Sequence, residues 1–116
     1  MRDRNLQARS THLKKGIFMK FTLIRRISFS SPETGLVSKI VAKEFESDIP
    51  PQVGYEYEDS AWGRNDHPKV ESVVINTESG ICTVELEYLK AGNADAVAQS
   101  FKTTLQHPGW KDWLQR

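Results

Sequence analysis

The chain has one cysteine, Cys82, in 116 residues. That excludes an internal disulfide framework and fits a reducing cytoplasm. No apolar run approaches the roughly 20 residues needed to cross a bilayer. The N-terminus lacks the apolar stretch and small-residue cleavage site of a secretory signal, so the expected setting is cytoplasmic, away from membranes. Gly54, Gly63, Gly80, Gly92 and Gly109 stand singly, which leaves no glycine-rich phosphate loop, and no serine sits in a nucleophile elbow. His12, His67 and His107 are scattered, and with no second cysteine a zinc site is not expected. Neither a metal nor a cofactor is therefore anticipated. The chain also lacks internal repeats and low-complexity segments.

What is present suits one soluble domain with one modest core, at 38% hydrophobic and 27% charged residues. The near-neutral net charge of +1 hides an uneven division. Residues 1–18 carry Arg2, Arg4, Arg9, Lys14 and Lys15 against Asp3, a net +4, which leaves 11 basic and 14 acidic residues, a net −3, over 19–116. This basic leader holds too few apolar residues to order itself on a core. Lys14-Lys15-Gly16 also translates back to a purine-rich AARAARGGN just before the Met19 codon, which resembles a bacterial ribosome-binding site read as protein. The expectation over 1–18 is a basic leader that is either disordered or a mis-annotated extension, with translation starting at Met1 or at Met19 accordingly and the extension favoured, followed by a single β-rich domain over 19–116.

The clearest local signal is the run Lys69–Leu89, two β-branched segments around Thr77-Glu78-Ser79-Gly80, with Gly80 free to take the positive φ of a short reversal. It predicts a β-hairpin, which needs further strands to cover its apolar face. Lys20–Phe29 alternates as a strand, with Phe21, Leu23, Ile27 and Phe29 on one side, although Ile24 and Arg25 break the pattern. Residues 32–46 carry two signals. Ser31-Pro32-Glu33 resembles a helix start, whereas Gly35, Glu44 in mid-face and three β-branched residues favour a strand, paired with the first. Pro50 and Pro51 punctuate the chain, and Tyr55-Glu56-Tyr57-Glu58 reads as a short strand. Asn93 caps an expected helix to about Gln106, with Ala94, Val97, Ala98, Phe101 and Leu105 in one apolar stripe. After Pro108-Gly109, Trp110, Trp113 and Leu114 fit a last helical turn.

Chemically reactive constellations are weak. Cys82 shares strand parity with Val84, Leu86 and Tyr88 and reads as a small buried hydrophobe. Glu85 and Glu87 share a solvated strand face, and two exposed neighbours do not supply the contrasting environments of an acid–base pair. The most distinctive patch runs from Tyr55 to His67. Tyrosine, tryptophan and arginine are enriched at binding hot spots, and loops on a rigid scaffold display recognition residues. Tyr55, Tyr57, Trp62, Arg64 and His67 are therefore the candidate partner-binding surface, with Trp62 also suited to closing the core.

The expected class is α+β, mainly β: about five antiparallel strands in a small, partly open SH3-like or OB-like barrel with a C-terminal amphipathic helix. The expected function is non-catalytic, a bacterial accessory or regulatory module that binds another protein through the aromatic and charged loop. Single-stranded nucleic-acid binding through the same aromatics is the alternative, disfavoured by the acidic body. A small enzyme using His67 and Asp66 is the third reading.

Overall fold

The computed structural model describes residues 19–115. The basic leader expected over 1–18 lies outside the described residues. Met19–Ser31 forms β1 and Gly35–Ser47 forms β2, paired antiparallel along their whole length, from Met19 opposite Ser47 to Ser31 opposite Gly35. The helix-like start at Ser31 has a local cause. Its hydroxyl accepts from the Thr34 N–H at 3.1 Å, as an N-cap would, but Gly35 at φ +69° ends the turn and sends the chain back as β2.

Val70–Ile75 (β3) and Cys82–Leu86 (β4) form the expected hairpin, with Gly80 at φ +76°. Asn76 organises its turn by accepting from the N–H groups of Glu78 and Ser79. A break then separates β4 from Leu89–Lys90 (β5). Ala94–Leu105 forms α1, where the Asn93 side chain accepts from the Ala96 N–H at 2.7 Å. Trp110–Asp112 (β6) and a 3₁₀ turn at Trp113–Gln115 complete the described chain.

One six-stranded sheet runs in the order β3-β4-β1-β2-β6, with β5 alongside β1 beyond β4. The class is α+β, mainly β, and the sheet is not closed. Three expectations are corrected. The sheet is mixed, because β4 and β5 both run parallel to β1. Tyr55–Glu58 is not a strand: only Glu56 makes a bridge, to Lys69, as the segment runs antiparallel beside Pro68–Val70. Trp110 does not extend a helix but pairs with Lys43 in β6.

Alternation assigns the core face. Phe21, Leu23 and Ile27 of β1, Val41 of β2 and Val84 and Leu86 of β4 are buried on it, joined by Val97 of α1 and Trp110 of β6. Fully burying each such aliphatic side chain is worth about 1.5–3 kcal/mol. Helix α1 packs over β1 and β2, burying Val97 and Thr104, whereas Ala98 is exposed despite its place in the apolar stripe. Tyr88, expected to be buried with Val84 and Leu86, is also exposed, because the break after Leu86 resets strand parity.

Candidate functional site

The part of the core face that α1 leaves open is closed by the segment from Asp48 to Pro68, and two carboxylates hold this segment down. Asp59 receives the Lys43 ammonium at 2.7 Å and the Trp110 indole N–H and its own loop's Ala61 N–H, both at 2.9 Å. Its side chain is only 8% exposed. Partial burial works to raise this carboxyl, but the three hydrogen bonds and the Lys43 charge outweigh it and hold the pKa below the ordinary carboxylate range. A depressed folded-state pKa adds stability above the unfolded value of about 3.9, lost as pH falls through the folded value. Asp59→Asn is expected to flatten the acid limb of a stability–pH profile below about pH 4. An unchanged acid limb in that variant contradicts the assignment.

Asp66 holds the other end. Its two oxygens take Nη1 and Nη2 of Arg25 at 2.9 and 3.1 Å, while Arg25 Nε donates to the Glu87 carbonyl at 3.0 Å. Arg25 is only 4% exposed. It sits on the core face between Leu23 and Ile27, beside the break between β4 and β5, so one guanidinium satisfies the carbonyl at that break and pins the loop. The guanidinium also lies 4.8 Å from the centre of the Trp62 ring, which in turn packs 5.3 Å from Trp110. Arg25 breaks the apolar pattern of β1 in sequence, but its side chain faces the core, so the alternation holds.

These anchors divide the expected binding surface. Trp62 is half-buried against the core and donates weakly, at 3.4 Å, to the Tyr57 carbonyl. Tyr57 is also half-buried, edge-on to Phe45 at 5.9 Å. Burial, with smaller contributions from Cys82 and Tyr55, pushes its phenol above the ordinary value. Tyr55 remains 41% exposed. Arg64 and His67 are exposed on the far side of the loop, in a shallow depression shared with Glu58 and Trp62. The ring nitrogens of His67 face Glu56 at 3.6 Å and Glu58 at 3.3 Å, while Asp66 is committed to Arg25.

The structure instead joins Tyr55 and Tyr57 to residues that the sequence did not single out. Leu23, Phe45, Ile49, Tyr55 and Tyr57 line an open groove of about 580 Å³ together with Lys43, Glu56, Glu58 and Asp59. Its walls are aromatic and its rim carries carboxylates, of which Asp59 is already spent on Lys43 and Trp110. Phe45 and Ile49 had no signal as site residues, since either could equally have been core.

Among the described residues, no group of three or more His, Cys, Asp and Glu side chains is placed to hold a metal ion. The Cys82 thiol is half-buried, and burial raises its pKa, which favours the unreactive protonated form. No helix among the described residues is long and apolar enough to cross a membrane.

Fold and groove together define a mixed-sheet α+β domain with an open, acid-rimmed aromatic trough. No family model, curated protein or solved structure matches the chain.

Proposed function

We propose that this domain is a non-catalytic binding module whose groove takes an extended segment of another protein carrying a lysine or arginine between apolar side chains. The observation behind the reading is the pairing of exposed aromatic surface at Tyr55 with the carboxylates of Glu56 and Glu58 in one open trough. A cation over an aromatic face gains about 0.5–2 kcal/mol, depending on desolvation. Rim carboxylates steer such a partner and suppress an anionic one. The same carboxylates work against a phosphate backbone, whose neutralisation dominates nucleic-acid affinity. A cytoplasmic accessory role belongs with this reading. The contact surface therefore keeps Tyr55 and Tyr57, adds Phe45 and Ile49, and treats Trp62 as part of the scaffold.

The test is fluorescence anisotropy with a labelled peptide of alternating leucine and lysine. The same peptide with glutamate for lysine and a labelled oligothymidine serve as comparisons. The expected result is saturable, salt-sensitive binding of the lysine peptide alone. Tyr55→Ala should weaken it on the order of tenfold, which is about 1.4 kcal/mol. Preferential binding of oligothymidine, lost in the same variant, overturns the proposal in favour of nucleic acid. Binding indifferent to Tyr55→Ala rules out the groove as the contact surface.

A further inference from the structure

The geometry points to a second copy of this chain pairing with the outer edge of β3, and we propose that the protein forms a reversible two-fold dimer through Val73–Ile75. Among the described residues strand β3 ends the sheet. Its first residue is already covered, since Val70 accepts from the Gly54 N–H at 2.9 Å and donates to the Tyr55 carbonyl at 2.8 Å. A bulge between Val70 and Ser72 then shifts the strand's parity.

The turn fixes which groups face out. Asn76 exchanges hydrogen bonds with the facing β4 side of the turn, donating to the Ile81 carbonyl and accepting from the Gly80 N–H. Alternation in an antiparallel pair then turns the backbone of Ser72 and Val74 toward β4, and that of Val73 and Ile75 outward. Among the described residues no strand lies beyond this edge. The side chains there are apolar and open, with Val74 60% and Ile75 64% exposed. Sheet edges are commonly blunted by lysine, proline or inward charge, and Val73–Ile75 carries none of these.

A second copy fits better than a foreign strand because one register is self-complementary. With Val74 opposite Val74 of the second copy, Val73 faces Ile75 on both sides of the two-fold axis. Each such pair exchanges two backbone hydrogen bonds, giving four between the copies. The facing side chains are β-branched, and no like charges oppose one another, since Ser72 meets Asn76 and Glu71 meets Thr77. Beside the edge, Met19, Phe21, Pro50, Pro51, Val73 and Ile75 line an apolar cleft of about 470 Å³. Ile75 of the second copy lies over that cleft, because a two-fold axis normal to the sheet keeps the two core faces on one side. The net charge of −3 over 19–116 is small for a domain of this size, so overall repulsion is modest. So short a ladder falls well below the roughly 2,000 Å² or more that permanent dimers bury, so association should be reversible.

This proposal goes beyond peptide binding and is tested separately from it. Sedimentation of the full chain over about a hundredfold range of concentration should show monomer converting to dimer by mass action. Over the same range, amide exchange at Val73 and Ile75 should slow, while Val74, already facing β4, stays unchanged. Val74→Lys sets two ammonium groups against each other across the axis. Ile75→Pro deletes an outward donor without touching the hairpin ladder. Both variants should remain monomeric with an unaltered circular dichroism spectrum, and Tyr55→Ala should dimerise like the wild type. A wild-type protein monomeric at every concentration overturns the proposal. So does a dimer that persists in folded Val74→Lys and Ile75→Pro.

Discussion

Asp66→Ala is expected to cost about 3 kcal/mol of folding stability, among the largest losses from any single side chain in the loop. The change leaves the Arg25 guanidinium on the core face with Nη1 and Nη2 unpaired, and the penalty for a buried charge without its partner is about 3–5 kcal/mol. The lower end applies because the Asp66 side chain is 34% exposed and water can reach the vacated side. Against a typical total of about 5–15 kcal/mol, that loss is a large fraction. Arg25→Met should cost less, because the remaining carboxylate can turn to solvent and the methionine fills part of the space. The double variant should be no worse than Asp66→Ala, since it removes the stranded charge. Chemical denaturation monitored by tryptophan fluorescence reads all three. If Asp66→Ala stays within about 0.5 kcal/mol of wild type, an essential Arg25–Asp66 clamp is contradicted.

Trp62→Ala is expected to destabilise by a similar amount, about 3 kcal/mol, the low end for a large aromatic because the ring is only half-buried. The ring lies between the Arg25 guanidinium and Trp110, so its removal opens a cavity beneath the loop and uncovers both neighbours. The effect on binding separates scaffold from contact. Under conditions where the variant remains folded, its affinity for the lysine peptide should stay within about twofold of wild type, or roughly 0.4 kcal/mol. A stable Trp62→Ala protein that no longer binds peptide returns Trp62 to the contact surface and weakens the groove assignment.

Local patterning made much of the fold legible. The β3–β4 hairpin follows from β-branched runs and Gly80. Helix α1 follows from Asn93 and its stripe. Strand β2 follows from Val37, Val41 and Phe45 sharing a face with the stems of Lys39 and Lys43, which is the face that meets Phe29, Arg25 and Phe21. Sequence patterning does not reveal which strands become neighbours. Nothing in Cys82–Leu86 announces parallel pairing with β1, and three-residue β6 exists only because Val41–Lys43 offers it an edge. Arg25 was hidden for a similar reason. Its partner lies 41 residues away, so an inward charge looked like a defect rather than a clamp.

The binding surface was half legible. Aromatic and acidic alternation at 55–58 marks the correct segment, but its strand-like pattern comes from a single bridge beside Pro68–Val70, with Tyr57 turned inward and Tyr55 left outward. Arg64 and His67 stand out by residue type but do not line the trough, although His67 meets its rim carboxylates Glu56 and Glu58. Phe45 and Ile49 were passed over because apolar residues in a strand and before a proline pair carry no sign of which side they face. Grouping them with Tyr55 required the path of the loop over β2, which Asp59 and Asp66 set.

The most direct measurement is a nuclear magnetic resonance titration of the labelled protein with the leucine–lysine peptide, following backbone amides. The largest shifts should fall on Phe45, Ile49 and Tyr55 through Glu58, with β3 and α1 little changed. Shifts centred on Arg64 and His67, or none at peptide saturation, would contradict the groove assignment.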